Sequence, residues 1–178
     1  MAIIKPNNNT ISAITALPTG LGGKVLQVVQ GKFDTHVSSN AADWVATGLE
    51  AAITPSATSS KVFISITCGA IGGSKTTAFR IWKDSSHLNA SSGITGGNRE
   101  NVAFRTLIDN DNNHASCGGY NYLDSPSTTS ATTYKLYWKS QNSSTSSFNY
   151  ALGNDDVSHS YGSLTTATIT LMEIAGWL

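Results

Sequence analysis

Stretch after stretch of this chain alternates apolar and polar side chains with a period of two, and no segment carries a helical stripe of ten or more residues. From Ser60 to Gly69, Val62, Ile64, Ile66 and Cys68 share one face while Phe63, Ser65 and Thr67 share the other. From Thr77 to Lys83, Phe79 and Ile81 oppose Ala78, Arg80 and Trp82. Val102, Phe104 and Thr106 oppose Ala103, Arg105 and Leu107 between Asn101 and Asp109. Tyr134, Leu136 and Trp138 oppose Lys135, Tyr137 and Lys139 between Thr133 and Ser140. Lys24 to Gln30 is a β-rich run bounded by glycines, and Thr166 to Ala175 is a β-branched run of the kind found in a buried central strand. A chain written this way folds as an all-β sandwich or barrel.

The connections are too long for a simple meander. The segments 84–100, 110–132 and 141–165 are rich in Ser, Asn and Gly, and loops above about 15 residues are uncommon in compact domains. They are expected to conceal edge strands, with Tyr120-Asn121-Tyr122 and Phe148-Asn149-Tyr150 as the candidates. Eight or more strands with long crossings predict a jelly roll, starting near residue 24 and running to 178. Residues 1–23 read differently, being polar and broken by Pro6 and Pro18, with Ile3, Ile4, Ile11, Ile14 and Leu17 as isolated apolar points. That pattern suits a short extended arm that docks on a partner.

Composition narrows the function classes. Charged residues make up 12% of the chain, about half the usual share, and eleven basic residues balance eleven acidic ones. Nucleic-acid binding needs clustered Lys and Arg, which are absent here, and no apolar run is long enough for a membrane span. The start, Met1-Ala2-Ile3-Ile4-Lys5-Pro6, lacks the layout of a signal peptide, so synthesis in a cytoplasm is expected. The two cysteines form no disulfide framework, and Cys68 reads as a small core residue.

No catalytic constellation emerges. Asp109-Asn110-Asp111-Asn112-Asn113 opens like a calcium loop, but His114 stands where an EF-hand needs Gly and Tyr120 where it needs Glu. His36, His87, His114 and His159 lie far apart without metal-ligand spacing. There is no nucleophile elbow, and nothing selects a carboxylate pair for glycoside cleavage, so no catalytic residue, cofactor or metal is expected and a polysaccharide hydrolase is a remote alternative. Glu173, the one acid inside an apolar strand, needs a partner when buried, which Arg80 or Arg105 could supply within or between subunits; the alternative is a solvated edge position. Trp82 and Trp138 are expected to pack. Asp109, Asn112, His114, Tyr120 and Tyr122 form a candidate surface-binding loop whose tyrosines suit a sugar or a protein surface.

KVLQVVQ before Gly31, ITPSATSSKVFISIT over 53–67, YKLYWKS over 134–140 and TATITLMEIAG over 166–176 resemble the jelly-roll modules at the carboxyl end of many marine and cyanobacterial tailed-phage virion proteins. Those modules look like distant relatives of the trimeric C1q/tumour-necrosis-factor heads. The resemblance covers residues 24–176 in order and spacing. It implies a homotrimer on a virion: a fibre head, a knob, a capsid decoration or a receptor-binding tip that meets a host glycan or receptor. Family members often carry a long fibre shaft before the jelly roll, where this chain has about two dozen residues. The short arm favours a compact knob or cement-like trimer whose arm plugs into another capsid or tail protein.

Overall fold

In the computed structural model, the described residues are 24–73, 75–88, 100–107, 115–150 and 164–176. The expected arm of residues 1–23, with Ile3, Ile4, Ile11, Ile14 and Leu17, lies outside them, as do Asp109, Asn112 and His114 of the expected binding loop.

Eleven strands carry the fold: β1 Val25–Phe33, β2 Val37–Ser39, β3 Val45–Ile53, β4 Lys61–Gly73, β5 Thr77–Lys83, β6 Ser86–His87, β7 Phe104–Thr106, β8 Ala115–Asp124, β9 Thr132–Ser140, β10 Ser146–Phe148 and β11 Ala167–Ile174. Among the described residues the only helical turn is a single 3₁₀ turn at Gln141–Ser143. All strand pairs between these elements are antiparallel. β1, β11, β4 and β8 form a first sheet, extended by β10 and β2 along the far end of β4, while β3, β9, β5 and β7 form a second, extended by β6. The pairing is nested: β1 pairs with β11, β3 with β9, β4 with β8 and β5 with β7. Two further pairs, β11 with β4 and β9 with β5, merge the nested hairpins into two sheets.

The sheets bury their inner faces against each other, as the alternation requires. Val62, Ile64, Ile66, Cys68, Ile169 and Leu171 come from the first sheet. Leu49, Ile53, Phe79, Ile81, Tyr134, Leu136 and Trp138 come from the second, and the Phe148 ring bridges towards Phe33, Phe79 and Trp138. Burial pushes the Cys68 thiol up to about 12, so it is an inert core group.

Three elements depart from the expectation. β3 lies in a segment without clean alternation. Gly48 sits at φ 97° in a bulge between Ala46 and Glu50, and that bulge shifts the register within the strand. A side chain there would collide with the Phe33 ring. Second, Gly31 does not end β1. The strand runs through it to Phe33, because the missing side chain lets the Glu50 carbonyl of the other sheet approach. Third, Tyr120 and Tyr122 are not loop residues. They lie within β8, with side chains partly buried against the core, so their expected place in a surface loop is corrected. The concealed strands at 120–122 and 148 are present as β8 and β10.

Candidate functional site on the two outer faces

Register places residues of unlike chemistry on the two sides of the first sheet. Gln27, Glu173, Val62 and Asp124 form one cross-strand row on β1, β11, β4 and β8, facing inward. Glu173 is 1% exposed and Asp124 6%. The next row outward is Val28, Met172, Phe63 and Leu123, entirely apolar. Val28 is 56% exposed and Leu123 53%, with Val25 and Leu26 exposed beside them and Ile174 partly buried. At this end the usual arrangement is inverted: carboxylates lie within the sandwich and hydrocarbon lies outside it. Further along the same outer face the rows turn polar, with Gln30, Thr170, Ser65 and Asn121 in register.

Both buried acids are fully engaged. Glu173 Oε1 accepts from the Ser56 backbone N–H at 2.7 Å and from the Ser56 and Ser60 hydroxyls at 2.6 Å, and Oε2 accepts from Gln27 Nε2 at 2.6 Å. Burial acts to raise its pKa, but these donors outweigh it and hold the carboxyl at about 2. The expected arginine partner is thereby corrected. Arg80 and Arg105 belong to strands of the second sheet, and a carboxylate with this many donors needs no cation. Asp124 accepts from Lys83 Nζ at 3.0 Å and from Tyr134 Oη at 2.7 Å, which ties the first sheet to the second. Burial, and then the bond to Asp124, raise the Tyr134 pKa. At the opposite end, the Ser146 hydroxyl of β10 meets Thr77 Oγ1 at 2.6 Å and accepts from Ser140 Oγ at 2.9 Å.

The outer face of the second sheet is aromatic and cationic. Arg80 lies with its guanidinium 4.2 Å from the Trp44 ring centroid and donates from Nε to the Asn101 carbonyl at 2.5 Å. Trp82 stacks on Tyr137 at 4.4 Å and meets His87 edge-on at 6.1 Å. Trp138 packs in the core as expected, whereas Trp82 packs on the outside of the sheet. Lys139, Ala78 and Arg105 form a row across β9, β5 and β7. This row crosses a cleft of about 730 Å³ lined also by Ala42, Val102, Glu100 and the turn residues Gln141 and Asn142. Lys139 Nζ donates to Glu100 Oε1 at 2.9 Å. Arg105 is exposed and has no ion pair among the described residues. The Nε1 groups of Trp44 and Trp82 are occluded without an acceptor among the described residues.

Of the expected binding residues, the structure brings Tyr120 and Tyr122 together on β8, two residues apart along its inner face. The cleft was not anticipated. Its one legible signal was the outward pair Arg105 and Lys139 in the alternation; Glu100 lies outside any strand pattern. Among the described residues no group of three His, Cys, Asp or Glu side chains is placed to hold a metal, and no helix is long and apolar enough to cross a membrane. No model of a known protein family matches this chain, and no curated protein matches it.

Proposed function

We propose that this chain is a self-assembling structural protein of a tailed-phage particle. It is a homotrimeric jelly roll of the C1q/tumour-necrosis-factor type, serving as a knob, fibre head or decoration, and it is not an enzyme. The observation that carries the reading is the outward apolar row of exposed Val28 and Leu123 with half-buried Met172 and Phe63 between them, and exposed Val25 and Leu26 beside it. A contiguous apolar patch on an outer face marks an interaction surface, and burying it contributes about 25 cal/mol per Å². The formal net charge of zero leaves little long-range repulsion between copies.

Nested pairing supports the jelly roll, since rolling up one long hairpin gives this order of strands. The likeness of segments 53–67, 134–140 and 166–176 to phage virion modules supports the particle as the place of assembly, after synthesis in the host cytoplasm. On this reading residues 1–23, through Ile3, Ile4, Ile11, Ile14 and Leu17, anchor the trimer in another virion protein.

Light scattering on the purified chain tests the assembly. A species of three times the 18.7 kDa chain mass is expected, and a monomer at micromolar concentration overturns it. Leu123→Glu places a charge in the row and should weaken association at least 100-fold while the thermal melt of the monomer stays cooperative. Deleting residues 2–23 should remove the protein from particles without changing the trimer mass.

A further inference from the structure

We infer that the cleft on the outer face of the second sheet binds an acidic saccharide. Its volume, about 730 Å³, lies within the range of about 300–1,000 Å³ typical of small-ligand sites and has room for a short oligosaccharide. The floor is the Ala78 methyl, flanked in register by Lys139 on one neighbouring strand and Arg105 on the other. Ala42 and Val102 add apolar surface, which suits the C–H face of a pyranose ring. Gln141 and Asn142 on the rim supply amide donors and acceptors for hydroxyl groups.

Charge selects the acidic class. Among the described residues Glu100 is the one carboxylate lining the cleft, and Lys139 neutralises it at 2.9 Å. Arg80 is engaged by the Asn101 carbonyl and the Trp44 ring. Among the described residues no carboxylate pairs with Arg105 at the cleft, and a guanidinium fork fits a carboxylate in two parallel hydrogen bonds. One unmatched cation is too few for a nucleic-acid backbone, which needs a track of them. Lys139 is held by Glu100 before any ligand arrives, which lowers the ordering cost of binding. Cleavage is not part of the inference, because glycoside hydrolysis needs two carboxyl groups and Glu100 is tied to Lys139.

The test uses the whole chain, titrated calorimetrically with tri-galacturonate, a hyaluronan hexasaccharide and sialyllactose, with maltotriose as the neutral comparison. At least one acidic oligosaccharide should bind at least tenfold more tightly than maltotriose, and added salt should weaken it. Arg105→Gln should reduce that affinity at least tenfold; its side chain is exposed, so an unchanged melting temperature checks the fold. Should that variant not fold, Gln141→Ala is expected to weaken binding at least threefold. Failure of all three acidic ligands to bind, equal binding of maltotriose, or an unchanged affinity in the folded variant overturns the inference. Mass measured on the same samples separates the two readings. A trimer that binds no acidic saccharide overturns the cleft alone, and a monomer that binds one overturns the assembly alone.

Discussion

The outer faces of the two sheets rest on one core and yet differ in kind. On the first sheet, the exposed end carries Val25, Leu26, Val28 and Leu123 with Met172 and Phe63 between them, side chains whose only gain is removal from water. On the second, Trp82 and Tyr137 stack on each other, while Arg80, Lys135 and Lys139 are engaged by Trp44, Glu50 and Glu100. Trp82 on Tyr137 and Arg80 on Trp44 cover their own apolar surface, so this face is satisfied without a large partner. The first is suited to a flat, dry contact with another copy, and the second to a small polar ligand. A surface built from groups with no internal partner calls for an external one.

The same contrast is visible one layer down. Beneath the apolar row, Glu173 and Asp124 are clasped by Ser56, Ser60, Gln27, Lys83 and Tyr134. Beneath the aromatic face lie Phe79, Ile81, Leu136 and Trp138, with Tyr134 alone reaching across to a carboxylate, that of Asp124. Covering the apolar row removes the buried acids further from water, while the second sheet stands on ordinary core packing.

Three perturbations act on this comparison to different degrees. Trp138→Ala removes a side chain that supports both sheets and should cost about 3–5 kcal/mol. Denaturant melts would show it, and both the proposed self-association and the proposed saccharide binding should fall together. If only one of them falls, the two faces do not depend on one shared core. Acidification comes next and acts on the first sheet. Glu173 is held at about 2, below the ordinary glutamate value of 4.5, so its contribution is complete above 4.5 and is lost as pH falls through about 2. That contribution is at most on the order of 3 kcal/mol. Glu173→Gln should flatten the stability profile between those pH values; an unchanged profile would show that the carboxylate adds nothing as an anion. The smallest effect belongs to Trp82→Ala, which removes the stack on Tyr137 and should cost about 1–2 kcal/mol in thermal melts. It should leave the proposed self-association unchanged, and a weaker association would mean that the second sheet also carries the assembly.

Much of the framework was legible in the alternation. The inward sets Val62/Ile64/Ile66/Cys68, Phe79/Ile81 and Tyr134/Leu136/Trp138 are buried as read, because a period of two leaves each side chain only two faces to choose between. β3 was not legible, since its bulge at Gly48 breaks the period and the run Leu49-Glu50-Ala51-Ala52 suits a helix as well as a strand. β8 was only half legible, because Gly118 and Gly119 carry no side chain to alternate. The partner of Glu173 was misread: burial correctly demanded one, but hydroxyls from the β3–β4 loop were nearer than any arginine.

What the sequence determined by itself is the all-β architecture and which side of its cleanly alternating strands faces the core, because both are local consequences of side-chain periodicity. Which strands become neighbours was decided only by tertiary structure, since pairing joins residues such as Gln27 and Glu173 that lie far apart in the chain. The apolar row and the saccharide cleft both belong to that second category. Phe63 shares its outward face with Ser65 and Thr67 in a strand that looks half-solvated, and only registration beside Met172, Leu123 and Val28 turns it into part of a surface. Likewise Arg105, Ala78 and Lys139 come from three strands, and hydrogen-bond register brings them to one cleft.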